Sequence, residues 1–149
     1  MEITRATEYA IRGVLDLCSQ PLGSVSLLSE ISERQEIPLS FLSKILQKLA
    51  KDGIVSSSRG AGGGFAIGKD PREITLLEVL EAVEGHIALN VCLNNGKACR
   101  NQPTCAVHLV WREAQEQMVN LLRKRSFAEL AETNRRLAEE AAREPQPSD

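Results

Sequence analysis

Three cysteines and a histidine form the densest chemistry in the chain, spaced Cys92-x6-Cys99-x5-Cys105-x2-His108. Thiolates are soft ligands that suit zinc and iron–sulfur clusters. The gaps of six and five residues exceed the gaps of about two to four usual in structural zinc knuckles. A loop with wide gaps, carrying Gly96 and Pro103, can drape around a bulky cluster. Three clustered thiols leave a fourth position to fill. His108 is the near candidate, about one turn into the helix that follows. Glu8, at the start of the first helix, is the far one and could arrive from a second subunit. The same residues also allow a zinc site with three sulfurs and one nitrogen, or free thiols. A centre completed by oxygen or nitrogen is more labile than one with four thiolates, and lability suits a sensor. Cys18 continues an apolar helix face and reads as a core thiol. His86 follows a helix-ending glycine and is given no role.

The elements that must position this loop come from periodicity. Ala6, Tyr9, Ala10, Val14 and Leu17 recur at helical spacing and predict a first helix with one buried face. Leu27–Gln35 and Leu39–Lys51 are two further helices, separated by Ile37–Pro38; the second carries Leu42, Ile45, Leu46 and Leu49 on one side. The period then changes. Residues 54–58 and 65–67 read as short strands around Arg59-Gly-Ala-Gly-Gly-Gly64, a hairpin into which backbone freedom is concentrated. Thr75-Leu-Leu-Glu78 and Ser126-Phe-Ala-Glu129 are capping boxes that open two more helices. Between them a long helix starts at Ala106, with Val107, Val110, Ala114, Met118 and Leu121 in one stripe. The last helix is expected to turn Phe127, Leu130, Ala131, Leu137 and Ala138 inward, and the polar, proline-bearing tail from Glu144 reads as disordered.

Three short helices followed by a glycine hairpin are the order of a winged helix-turn-helix. The fold class is mainly α with a small β wing and a long helix from Ala106. The outer face of the third helix carries Ser40, Ser43, Lys44, Gln47, Lys48 and Lys51, with no carboxylate among them. Small polar groups near a helix start suit base edges in a major groove, and flanking ammonium groups suit phosphates. The chain has a net charge of −2, but residues 39–72 hold six basic side chains against two acidic, net +4. Both flanking segments are net −3. Arg59 opens the wing, where it can enter a minor groove while Gly60 and Ala61 bring backbone close to phosphate. The candidate DNA-binding set is therefore Ser40, Ser43, Lys44, Gln47, Lys48, Arg59, Gly60 and Ala61.

Composition excludes other classes. Five aromatic residues in 149 argue against stacking platforms for bases or sugars. No acid–base pair sits in a motif, and the glycine run lacks the Lys-Ser/Thr ending of a phosphate loop, so an enzyme with a small-molecule substrate is not expected. No apolar run approaches the length of a membrane span, and no export signal opens the chain. A cytoplasmic location with reduced thiols is expected.

These residues together resemble a known family. Ile3-Thr4, Tyr9-Ala10, Ile31-Ser-Glu-Arg-Gln35, Val55-Ser-Ser57, Arg59-Gly60, Gly62-Gly-Gly64, Gly68-Lys69, the three cysteines and His108-Leu-Val-Trp111-Arg112 make the chain similar to the Rrf2 family of bacterial winged-helix regulators, which includes iron–sulfur sensors. The resemblance runs from residue 1 to about residue 131. It implies a homodimer crossing through the helix from Ala106, with each copy reading one half of a double-stranded promoter site. It implies cluster ligation by Cys92, Cys99 and Cys105. His108 matches the fourth ligand of the branch with 2Fe–2S clusters, and Glu8 matches the carboxylate of the branch with 4Fe–4S clusters. The implied organisation is a DNA-binding domain over 1–85, a cluster loop over 86–105, a dimerisation helix and C-terminal helix over 106–142, and a tail over 143–149. The implied activity is transcription regulation tuned by iron supply, oxygen or nitric oxide; a thiol- or zinc-based regulator is the alternative.

Overall fold

A computed structural model of the chain describes residues 2–94 and 99–144. The expected order of elements is observed: helices α1 (Arg5–Cys18), α2 (Leu28–Gln35) and α3 (Leu39–Lys51), strands β1 (Val55–Ser58) and β2 (Gly64–Ile67), then α4 (Leu76–Glu84), α5 (Ala106–Arg123) and α6 (Phe127–Arg143). Two single 3-10 turns, Val91–Leu93 and Gln102–Thr104, interrupt the cysteine loop.

Each of the first helices starts where its chemistry allows. The Thr4 hydroxyl accepts the Thr7 N–H and caps α1. The Glu30 carboxylate reaches back to the Leu27 N–H at 2.7 Å, at the entrance of α2. The turn into α3 places Glu36 in the left-handed region (φ +51°), a conformation that costs a non-glycine residue about 1 kcal/mol or more. Pro38 then presets the entry to α3, and its carbonyl accepts from Phe41 and Leu42.

The core lies where these helices cross. Ala10 and Val14 of α1, Ile31 of α2, and Leu42, Leu46 and Leu49 of α3 are fully buried. Ile54, Ile74, Val79 and Phe127 close the same cluster. Each large side chain contributes about 1.5–3 kcal/mol by leaving water. One polar knot lies in this core. Asp16, 5% exposed, accepts three hydrogen bonds from the Arg34 guanidinium (2.7, 3.0 and 3.3 Å) and one from the Gln35 amide (3.0 Å). Arg34 also donates to the Ser26 hydroxyl at 3.1 Å.

The wing is an antiparallel pair in register from Val55↔Ile67 to Ser58↔Gly64. Ser26 extends it by one bridge, exchanging two 2.8 Å hydrogen bonds with Phe65. The approach is so close that a Cβ on Gly64 would fall 2.2 Å from the Ser26 carbonyl oxygen, so only glycine fits there.

Two expectations are corrected. The Ser126 capping box is complete, but that at Thr75 is half made: its hydroxyl accepts the Glu78 N–H, while the Glu78 carboxylate takes the Lys69 ammonium at 2.6 Å instead. In α6 only Phe127 is buried, and Leu137 is 51% exposed. The helix outruns the core beneath it, so among the described residues its apolar stripe beyond Ala131 stays exposed. The α5 stripe is likewise bare in its first half. Its second half packs Met118, Val119 and Leu122 against Leu77, Leu80 and Ile87. The tail residues 145–149 lie outside the described residues.

Candidate functional site

The cysteine loop is tethered at both ends. Gly85 takes a positive φ of 81° and ends α4. Ile87 is buried against Leu77 and Leu80. The Leu89 N–H donates to the Gln115 side-chain oxygen at 2.9 Å, holding the loop to α5. Asn90 caps the first 3-10 turn through its side-chain oxygen, 2.7 Å from the Val91 nitrogen. In the second turn the Gln102 N–H donates to the Cys99 carbonyl (3.0 Å), and the Gln102 carbonyl accepts from Cys105 (3.4 Å). Cys105 is the residue from which α5 springs.

This folding gathers Cys92, Cys99, Cys105 and His108 around one cavity of about 390 Å³, walled also by Val91, Gln102 and Trp111. Cys92 and Cys105 are half-buried, Cys99 is exposed, and all three are free thiols. His108 is 9% exposed. Among the described residues its Nδ1 is buried without a hydrogen-bond partner, and its Nε2 lies 3.3 Å from the Gln102 amide nitrogen. Among the described residues, no three His, Cys, Asp or Glu side chains stand close enough to hold a metal ion. The donor set, three sulfurs and a nitrogen facing one partly apolar cavity, fits a thiophilic group; loop closure would be needed to bring the sulfurs together. Glu8 is not on this cavity. It is largely exposed and faces Arg12 one turn on, at 3.8 Å.

Cys18 stands apart. It packs against the main core, and burial pushes its thiol up from 9.0 to about 11.

The second site is the face of α3 with the wing. Ser40, Lys44, Gln47, Lys51, Arg59, Gly60 and Ala61 are exposed, and Ser43 is half-buried. Gln47 donates to the Ser43 hydroxyl at 3.2 Å. Gln47, Lys51, Ser57, Ser58 and Arg59 line a groove of about 570 Å³ between α3 and the wing. Lys48 departs from this set: its ammonium donates to the Val83 carbonyl at the end of α4, at 2.7 Å. It also draws on Glu84, whose carboxylate is held below its ordinary range first by the hydroxyls of Thr4 and Thr7.

Sequence reasoning missed Gln102, Gln115 and the Asp16 knot. No periodicity or spacing rule selects them, because each acts through a side-chain contact across a turn or between elements.

A mainly α fold with a two-stranded β wing and a basic third helix defines the winged-helix class of proteins. The chain belongs to the Rrf2 family, whose model, described as an iron-dependent transcriptional regulator, matches residues 3–133. It is 35% identical over 130 residues to the HTH-type transcriptional regulator IscR of Klebsiella pneumoniae (strain 342), covering 87% of this chain and 79% of that one. The IscR of Escherichia coli (strain K12 / DH10B) matches equally, over 80% of its length. Two solved structures share the fold: T. potens IscR (TM-score 0.72, 21% identity, 99% of this chain and 94% of that one) and CymR, the global cysteine regulator of B. subtilis (TM-score 0.71, 21% identity, 89% and 98%). The chain is thus a DNA-binding regulator rather than an enzyme. Among the described residues no helix is long and apolar enough to cross a membrane.

Proposed function

We propose that this regulator works as a homodimer on double-stranded promoter DNA and holds an iron–sulfur cluster through Cys92, Cys99 and Cys105, with His108 as the fourth donor. The observation that carries the reading is the shared cavity of these four side chains at the foot of α5. His108 is favoured over Glu8 because it lines that cavity, whereas Glu8 faces Arg12; a nitrogen fourth ligand goes with the 2Fe–2S type. Bound there, a cluster supplies a centre that reacts with oxygen and nitric oxide and tracks iron supply.

The chain's own residues do the rest. Lys44, Lys51 and Arg59 neutralise phosphates, while Ser40, Ser43 and Gln47 meet base edges. Val107, Leu109 and Val110, each more than half exposed on α5, supply an apolar seam for a second copy. Residues 1–85 act as the reading domain, 86–105 as the sensing loop and 106–142 as the dimer arm.

The test is protein purified without oxygen, with iron, sulfide and zinc counted and visible absorbance recorded. A brown protein with iron and sulfide, lost in Cys99→Ala, and a promoter affinity that changes on removal of the cluster are expected. A colourless zinc protein, or a metal-free one whose DNA binding follows thiol oxidation, would overturn the cluster reading.

A further inference from the structure

Gln102 occupies a position that ties three of the four candidate donors together. Its backbone N–H donates to Cys99 (3.0 Å) and its carbonyl accepts from Cys105 (3.4 Å). Its side chain meets His108, amide nitrogen to ring Nε2, at 3.3 Å. A neutral imidazole has one N–H and one lone pair, and which nitrogen carries which decides where it can bind a metal. An amide nitrogen is a donor only, so the ring nitrogen facing it must offer the lone pair. The proton then sits on Nδ1. Among the described residues that atom is buried with no partner in either tautomer, so it does not decide the choice; the contact with Gln102 does.

We propose that Gln102 is a positioning residue that holds His108 in the Nδ1–H tautomer, so that its Nε2 lone pair is the donor at the cysteine cavity. The amide N–H stands where a metal would stand. Rotation of one side chain uncovers the lone pair, and no proton has to leave the ring. Metal-ligating histidines are commonly fixed by a partner on their other nitrogen; here the partner sits on the ligating nitrogen itself and acts as a placeholder. The inference rests on the reading of His108 as the fourth donor.

The experiment uses the reduced, metal-free full chain labelled with 15N, at one pH where the ring is neutral. Long-range 1H–15N correlations identify the tautomer of His108. The expected result is the Nδ1–H form in the wild type, with a ratio that moves toward Nε2–H by about threefold to tenfold in Gln102→Ala and Gln102→Met, the effect of one neutral hydrogen bond. The methionine variant keeps the side-chain length, so agreement between the two separates the amide's role from packing. An Nε2–H wild type, or an unchanged ratio in both variants, overturns the proposal. Zn²⁺ added to the wild type is the second arm. A shift confined to Nε2, with Nδ1–H retained, supports the assignment, and a shift at Nδ1 overturns it. If neither ring nitrogen responds while the cysteine signals do, His108 is not a donor, and the failure belongs to the functional reading rather than to Gln102's hold on the tautomer.

Discussion

Helices α1 and α5 are both amphipathic, yet they meet opposite fates. α1 buries Ala10, Val14 and Leu17 in its own chain and satisfies even Asp16 inside the core. α5 buries only His108, and leaves Val107, Leu109, Val110 and Trp111 in contact with water. The reading domain is finished by the polypeptide that makes it. The arm differs: in its first half Val107, Leu109 and Val110 are each more than half exposed. A single-chain fold can thus hold one half with its apolar face buried and another with its apolar face exposed. Regulation is suited to the second kind, because a partner's arrival changes it most.

Core truncation should break the contrast hardest. Leu46→Ala, at a fully buried position, is expected to cost about 2–5 kcal/mol, read as a lower denaturant midpoint. Val110→Glu on α5 should leave that midpoint near wild type and instead dissociate the dimer in sedimentation velocity. Equal loss of fold in both would erase the distinction.

The cysteines sharpen it next. With its thiol near 11 rather than 9.0, Cys18 carries about a hundredfold less thiolate at pH 8 than an unperturbed group of that kind, and thiolate is the reactive form. Iodoacetamide on the metal-free chain should alkylate Cys92, Cys99 and Cys105 first, with Cys18 last by mass spectrometry. The linkage has a definite sign. A raised folded-state value means that Cys18's contribution is complete below about pH 9 and is lost as pH climbs through about 11.

Asp16→Ala removes the acceptor for Arg34 and Gln35 and should cost about 2 kcal/mol, visible in thermal unfolding. The smallest expected effect concerns DNA. Lys44→Ala should lower the slope of log affinity against log salt by about 0.9, one phosphate's worth. Lys48→Ala should lower it less, because the Lys48 ammonium is engaged with Val83.

The helix order, the wing and the cysteine cavity were legible in the sequence because each rests on a local signal. Leucines at three- and four-residue steps announce α3, and glycines announce the hairpin. His108 falls one turn beyond Cys105, so its place beside the thiols follows from helix geometry. What stayed hidden depends on contacts between distant elements. Nothing near Lys48 says that its ammonium will choose the end of α4 over the open groove. The Asp16–Arg34 pair spans two helices, and a carboxylate on an apolar face has no periodicity of its own. In α6 the apolar spacing predicts Leu137 and Ala138 inward and both are exposed, because a pattern cannot say how far the facing surface extends.

The junction of α5 with α6 has a mechanical consequence. Leu76 donates to the Arg125 carbonyl (2.9 Å), Phe127 to Ile74 (2.8 Å) and Ala128 to Pro71 (3.1 Å), so the end of α5 is riveted to the reading domain. Its opposite end carries the cysteine cavity and has little of its own chain beneath it. An 18-residue helix is about 27 Å long, which makes α5 a cantilever with its load at the free tip. With its second half packed on Leu77, Leu80 and Ile87, the arm that can swing is about 18 Å, and a tilt of about 10° moves the tip by about 3 Å. Conversely, a force at the cavity acts as a torque on the root, at the start of α4, whose opposite end is the one that Lys48 touches.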